Sequence, residues 1–473
     1  MSISSANIKI NYMGGGKMNI KRTDNYDFVV CGGGVAGFAA AVSAARKGLR
    51  VALIEKNAIL GGVATAAGVN QLLGGRKLDN NNKHIRVVGG IFDELTDRLI
   101  KKGQAIEPND IDLSFNPFGW YPRMASGISC GETALKICLD EMCIEAGVRI
   151  YFNTVITDVD FNENLKAVIV YNKDGFVRIE AKMFADCTGD ADVVQMCGLP
   201  FEKGRKEDGL MTPTSTEMHL ENVDTTELVT YQNEHNSPKL IEIIDKLTEK
   251  GIWDFPVDIF VGVRLVEEDV FLINTLRQRG IDGTKEEDVT RAIIAGRKDC
   301  VRLYEILKEH FPGFKNSRIR KIADHLGVRE TRRIIGQKTV TVFDALNGKK
   351  FDDTIAATTY NFDLPDPVKS GYDPMMGSVR APKDERKHVV IRIPYGSLLP
   401  QGTNNLIVAG RCISVEREVL GPARIMGPCM MMGQAAGVAA SLANGDFTSV
   451  DTNVLRQTLW SDGVIDPDTL PFN

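Results

Sequence analysis

The sequence predicts an α/β protein: a parallel central sheet with helices and a β-meander, interrupted by an inserted α+β segment. Three observations carry this. A buried strand, a glycine turn, an alanine-rich helix and a second strand follow one another over residues 26–55. A strand–loop–helix stands near the other end, over 405–443. Strand-like and helix-like stretches are mixed in between, which favours layered α/β and α+β architecture.

Composition limits the function classes. The chain of 473 residues is long enough to bury a large core without a disulfide or metal staple. A hydrophobic share of 43% and a charged share of 25% exclude a disordered or collagen-like chain. Fifty-seven Lys and Arg against 62 Asp and Glu give a net charge of −5. No basic block with interleaved aromatics offsets that, so neither nucleic acid nor a membrane surface is an expected partner. Nine cysteines, an odd number with no Cys-x-x-Cys pair, point to reduced thiols in a cytoplasmic protein. The six histidines lack metal-ligand spacing, and no metal is expected. The uncharged runs 28–45 and 425–445 are rich in Gly, Ala, Met and Val, and are expected to be buried rather than membrane-spanning.

Residues 1–23 are expected to be a flexible extension. The run Gly14-Gly15-Gly16-Lys17 before Met18 is what a purine-rich ribosome-binding site would translate into. Met18 is therefore expected as the native start, with a genuine tail as the alternative.

The first ordered unit is expected at 24–200. Residues 26–31 form a strand, 38–47 a helix closed by Gly48, and 50–55 a second strand. Between the first two lies Gly32-x-Gly34-x-x-Gly37. Gly32 allows the tight turn, Gly34 lets a pyrophosphate approach the backbone, and Gly37 lets the helix pack on the strand. The helix N-terminus offers N–H groups and partial positive charge to the phosphates. Glu55, followed by Lys56, can accept both hydroxyls of an adenosine ribose. Such a unit is Rossmann-like. Residues 74–88 are polar and suggest a flap, and 150–186 a strand followed by a three-stranded meander turning at Asp174-Gly175.

Residues 201–395 are expected to form an inserted α+β substrate domain. A helix runs from Ser237-Pro238 to Gly251, strands cover 257–266 and 268–273, and Thr284-x-x-Glu287 is a capping box for a helix reaching His310. Residues 328–343 and 388–393 look like strands. The last part, 396–473, returns to the first domain. Gly410 and Arg411 end its strand, Gly427 suits an N-cap and Pro428 the first helical position. Gly433 and Gly437, one turn apart, leave a bare helix face.

The Gly61-Gly62 pair soon after Glu55 allows a bulky ring system against the backbone, where a nicotinamide dinucleotide domain would continue into its next helix. With the C-terminal strand–loop–helix, the pattern resembles the glutathione-reductase-type FAD fold. More narrowly it resembles bacterial FAD-dependent oxidoreductases related to the flavin part of heterodisulfide reductase, over 30–65, 132–153, 185–193, 329–336 and 394–440. That resemblance implies FAD as cofactor. It implies pyrophosphate and ribose contacts at Gly32, Gly34, Gly37 and Glu55, with Lys56 alongside, and flavin near Gly61 and Gly62. It implies adenine at Val155, a turn at Thr188-Gly189 beside the adenosine, ribitol at Gly410 and Arg411, and the helix end at Gly427 facing the flavin. Two departures stand out: Arg411 replaces a common Asp, and the loop 414–418 has Arg417 where relatives often carry His. Cysteines are not grouped, so no iron–sulfur cluster is carried over.

The expected function is hydride transfer between a small polar or anionic metabolite and flavin N5, with an electron donor or acceptor still to be identified. The alternatives are an NAD-dependent dehydrogenase, a flavin-dependent nucleic-acid modification enzyme and a non-catalytic nucleotide-binding regulator. If 328–334 is a strand, Arg329, Thr331 and Arg333 share one face, and Glu330 and Arg332 the other. Arg332 and Arg424 are expected to orient the substrate, with Arg329 nearby and Glu330 fixing a guanidinium or moving a proton. His325 is the histidine to test for acid–base work. Cys412 is more readily a packing residue than a redox thiol.

Overall fold

The computed structural model describes residues 19–117, 126–369 and 389–472. Residues 1–18, with the expectation at Met18, and His388 lie outside the described residues.

Strand β1 (Ile20–Cys31) begins inside the segment expected as an extension. Its last four residues, Phe28 to Cys31, are fully buried. Helix α1 (Val35–Arg46) and strand β2 (Val51–Ile54) follow. Then come β3 (Arg149–Tyr151), β4 (Val155–Asn162), β5 (Asn164–Asn172) and β6 (Gly175–Asp186). Much later β7 (Leu406–Val408) leads to helix α2 (Met426–Leu442). The sheet runs β3-β2-β1-β6-β5-β4. β1 lies parallel to β2 and β6. β6 changes partner on its other side: Gly175–Glu180 pairs antiparallel with β5, and Phe184–Asp186 pairs parallel with β7. This is the expected parallel sheet with a meander. Gly175 stands opposite Asn172, so the turn residues are Lys173 and Asp174 rather than Asp174 and Gly175.

Helix α1 starts three residues earlier than expected, because Gly37 falls inside its first turn. Glycine is a poor helix former, yet a Cβ at Gly37 would lie 1.8 Å from the Gly32 carbonyl oxygen. Contact, not propensity, sets that residue. The bare face of α2 meets α1: a Cβ at Gly433 would sit 2.1 Å from the Ala36 carbonyl oxygen, and one at Gly437 2.3 Å from that of Ala40. Ile425 is the N-cap of α2, so Gly427 and Pro428 lie inside its first turn. No single helix among the described residues is long and apolar enough to cross a membrane.

A second antiparallel sheet runs Gly262–Arg264, Phe271–Ile273, Met218–Glu221, Arg318–Ile322. The helix Glu286–His310 buries Cys300, Leu303 and Leu307 in that core, one and two turns apart. Several expectations shift here. The helix from Ser237 starts at Ile241, and Thr225–Glu234 adds another before it. The strands at 257–273 are three residues each. Thr284 caps nothing; its hydroxyl bonds Asp282 at 2.6 Å, and Lys285 is the N-cap. The long strand over 328–343 shrinks to Arg332–Ile334, paired with Phe201–Lys203. Its neighbours bond to loops: Ile334 N–H donates to Cys412, Ile335 to Pro200, and Gln337 to Leu399. Val342–Leu346 is helical, held by a capping box between Thr341 and Asp344 despite the β-branched Val342 at its start. Residues 76–86 form a hairpin, Arg76–Leu78 against His84–Arg86.

Candidate active site

The glycine turn is built for a phosphate. Gly32 sits at φ +102°, and a Cβ there would lie 2.5 Å from the Cys187 carbonyl oxygen. Gly34, the N-cap of α1, is extended (φ −64°, ψ 179°), and a Cβ on it would meet nothing within 4 Å. An open position directly before a helix N-terminus is the space a pyrophosphate takes. Glu55, 5% exposed, is oriented by backbone: its Oε2 accepts the Gly33 N–H and its Oε1 the Asn57 N–H, each at 2.8 Å. Each oxygen keeps a lone pair for a ribose hydroxyl. Gly61 (φ +99°) and Gly62 (φ +56°) close the near wall, Gly61 bridging to Gly34.

A cavity of about 1560 Å³ runs from this turn to the second sheet. Gly32, Gly34, Glu55, Lys56, Gly61, Gly62, Val155, Thr188, Gly189, Gly410 and Arg411 all line it. Gly37 and Gly427 do not. Gly37 lies beneath the turn, and Gly427 packs on Gly74 with its N–H given to the Leu73 carbonyl at 3.0 Å. The end of α2 reaches the cavity through Ile425, Met426 and Cys429 instead.

Two acids organise the far wall. Asp186 is fully buried and accepts the Thr188 N–H and hydroxyl and the Val194 N–H, fixing the Thr188-Gly189 turn. Burial pushes its carboxyl up to about 6 against those bonds. Asp190 pairs with Arg411 at 2.6 Å and with the Thr331 hydroxyl at 2.7 Å. Burial opposes its ionisation, but Arg411 and Thr331 outweigh that and hold it below the ordinary carboxylate range.

Toward the second sheet the cavity turns basic. Arg277, Arg329 and Arg424 all line it. Arg329 donates to the Pro213 carbonyl at 2.8 Å and to Asn274 Oδ1 at 3.3 Å. Arg424 donates to the Asp363 carbonyl at 3.1 Å, with the Asp363 carboxylate at 3.6 Å. Burial, then Arg277 and Arg424, lower Arg329 to about 9, with Glu217 and Asp363 opposing.

Arg332 and Glu330 are elsewhere. Arg332 bonds the Asp190 carbonyl (2.8 Å) and Asp192 (3.0 Å) and lies over the Phe201 ring. Glu330, with its side chain fully buried, accepts from Thr212, Arg333 and Arg417. Neither lines the cavity. Because residues 328–331 are not a strand, the expected alternation of faces fails there. Arg417, the loop residue nearest the histidine expected from the resemblance, belongs to this buried cluster. His325 lines the cavity, with burial first and Lys56 second lowering its basicity. Cys412 is buried, and burial raises its thiol well above the usual range. Arg277, Asn274 and Ser215 line the cavity without having been singled out, because no local spacing distinguishes them.

A glycine turn with open space before a helix N-terminus, a buried acid held by backbone N–H groups and a second turn on the same cavity fit a dinucleotide. The family model described as FAD dependent oxidoreductase matches residues 27–459. The chain belongs to that family, and its cofactor is FAD. This sets aside an NAD-dependent dehydrogenase. Solved structures similar to it include a geranylgeranyl bacteriochlorophyll reductase-like protein from Thermoplasma acidophilum, at 12% identity over 93% of this chain and 83% of that one (TM-score 0.45). Another is a p-nitrophenol 4-monooxygenase from Pseudomonas putida, at 13% identity over 93% and 81% (TM-score 0.42). A myxobacterial chondrochloren halogenase is similar at 12% identity over 92% and 78% (TM-score 0.45).

Proposed function

We propose that this enzyme transfers hydride between a small anionic metabolite and flavin N5. The observation that carries the reading is Arg329 and Arg424 on one cavity wall, each held mainly by neutral carbonyls. Bound FAD supplies a two-electron acceptor or donor at N5. The chain does the rest. Gly34 and the α1 N-terminus seat the pyrophosphate, Glu55 the ribose, and Arg411, fixed by Asp190, braces the turn at Gly410. Arg329 and Arg424 would grip a carboxylate and set the reacting carbon, a task that suits a planar fork better than an ammonium.

The closer relationship to the glutathione-reductase-type fold and to the flavin part of heterodisulfide reductase is part of this proposal. So are the division at 24–200, 201–395 and 396–473, a cytoplasmic location, and a partner that exchanges electrons with the flavin.

Anaerobic bleaching of the flavin by a panel of small carboxylates tests the reading. Arg329→Lys and Arg424→Lys should each keep FAD and bleach roughly 10–150-fold more slowly, the loss of one charge-assisted contact of about 1.5–3 kcal/mol. Arg332→Lys should bleach as the parent does. If both cavity variants keep parental rates, or Arg332→Lys is the slow one, the assignment is wrong.

A further inference from the structure

We propose that Ser215 and Glu217 are the proton-transfer pair of the substrate site, Ser215 at the cavity wall and Glu217 behind it. The proposal rests on the hydride-transfer reading above and gives that reaction its acid–base groups.

The two buried glutamates of this region differ in a telling way. Glu330 uses both carboxylate oxygens, with Thr212, Arg333 and Arg417 as donors. Glu217 is 1% exposed, and its Oε1 accepts the Ser215 hydroxyl at 2.8 Å. Its Oε2 is buried and accepts no hydrogen bond among the described residues. A buried oxygen without a donor is costlier on a charged carboxylate than on a neutral carboxyl. Burial does push this carboxyl up, to about 7, against the pull of Arg329, the Ser215 hydroxyl and Arg277. A group poised near neutrality suits acid–base work.

The connection to the cavity is Ser215, which lines it. Its backbone pairs both ways with Gly327, at 3.1 and 2.7 Å. A Cβ at Gly327 would stand 2.7 Å from Ser215 Oγ. The glycine leaves the hydroxyl its room. The charged and titratable groups around Glu217 are few. Arg329 and Arg277 act on it from the cavity side. His219 and Glu217 both flank Gly68, the His219 Nε2 bonded to the Gly68 carbonyl. Cys300 faces it from the long helix Glu286–His310.

The chemistry balances as follows for a 2-hydroxy or 2-amino acid. The C–H electron pair leaves with its hydrogen as hydride to bound FAD. The O–H or N–H electron pair stays and forms the C=O or C=N bond. The proton released goes to Ser215 Oγ while the Ser215 proton moves to Glu217 Oε1. Serine ends neutral, and the glutamate ends as a neutral carboxyl. In the reverse direction Glu217 returns the proton. Oxidation needs Glu217 as carboxylate, so its rate should rise with pH through about 7.

The FAD-loaded wild type, Glu217→Gln and Ser215→Ala test this in two arms. Infrared difference spectra between about pH 5.5 and 8.5 bracket the titration of a carboxyl raised by burial. The wild type should lose a carboxyl C=O band on raising the pH, Glu217→Gln should lack it, and Ser215→Ala should shift it. Anaerobic bleaching by a panel of 2-hydroxy and 2-amino acids forms the second arm. Glu217→Gln should keep the flavin spectrum, slow bleaching roughly 10²–10⁴-fold and flatten the pH profile. If no acid bleaches the wild type, the anionic-substrate reading falls. If the wild type bleaches and Glu217→Gln matches its rate and pH profile, the relay alone falls. A band unmoved by Ser215→Ala overturns the relay whatever the bleaching arm gives.

Discussion

Gly34→Val is expected to fold as the parent does and to come off the column without FAD. The two halves of that result have separate causes. Gly34 is extended, at φ −64°, which any residue adopts, and a Cβ there meets no protein atom within 4 Å. The polypeptide therefore has no quarrel with a valine. The space it fills is the space before the α1 N-terminus, where the proposed seat sets the pyrophosphate against backbone N–H groups. Losing even one charge-assisted hydrogen bond of about 1.5–3 kcal/mol weakens retention roughly 10–150-fold. Flavin absorbance per protein after gel filtration, with a far-ultraviolet circular dichroism spectrum, reads both halves. Gly37→Ala is the contrast. Its Cβ would lie 1.8 Å from the Gly32 carbonyl oxygen, so that variant should lose stability and FAD together. Full FAD occupancy in Gly34→Val would move the pyrophosphate elsewhere.

Glu330→Ala should cost the fold about 3–5 kcal/mol, the usual penalty for breaking a buried charge cluster from one side. The Glu330 side chain is wholly buried, with Arg333 and Arg417 side chains only 4% and 5% exposed. Removing the carboxylate leaves two guanidiniums facing each other and strips the acceptor from the Thr212 N–H and hydroxyl. The denaturation midpoint measures the loss. A triple variant with methionine at 330, 333 and 417 should recover much of it, since replacing a whole buried ion cluster by apolar residues is often neutral. A loss below about 1 kcal/mol in Glu330→Ala would mean the cluster is hydrated.

Residues 26–65 were readable because their signals are local, whereas the start of β1 at Ile20 was not. Glycine spacing, the run of small residues in α1 and the acid closing β2 lie within one strand–turn–helix–strand unit. The pairing of Gly433 and Gly437 with α1 was half readable: the sequence shows a bare face, not what covers it. The substrate wall was harder. Arg329 and Arg424 were named and do share the cavity, but Arg332 and Glu330 were placed by a strand alternation that holds only over Arg332–Ile334. The loops after Pro200 and Gly410 take the hydrogen bonds that a longer strand would need. Glu217 and Ser215 carry no spacing signal at all. What sets that glutamate apart is an oxygen buried without a donor, and burial of that kind is created by contacts distant in sequence.

β6 has a consequence for how the chain assembles as it is made. Its second half waits for β7, and α1 waits for the bare face of α2 to cover it. Both arrive more than 200 residues after Asp186. At synthesis rates of about 5–20 residues per second, the nascent sheet spends on the order of 10–40 s with one strand edge and one helix face uncovered. During that interval the glycine turn exists without Gly410, Arg411 or the end of α2. A ribosome-bound chain stalled before β7 should therefore retain no flavin and should recruit holdase chaperones, and release of the full chain should end both conditions at once.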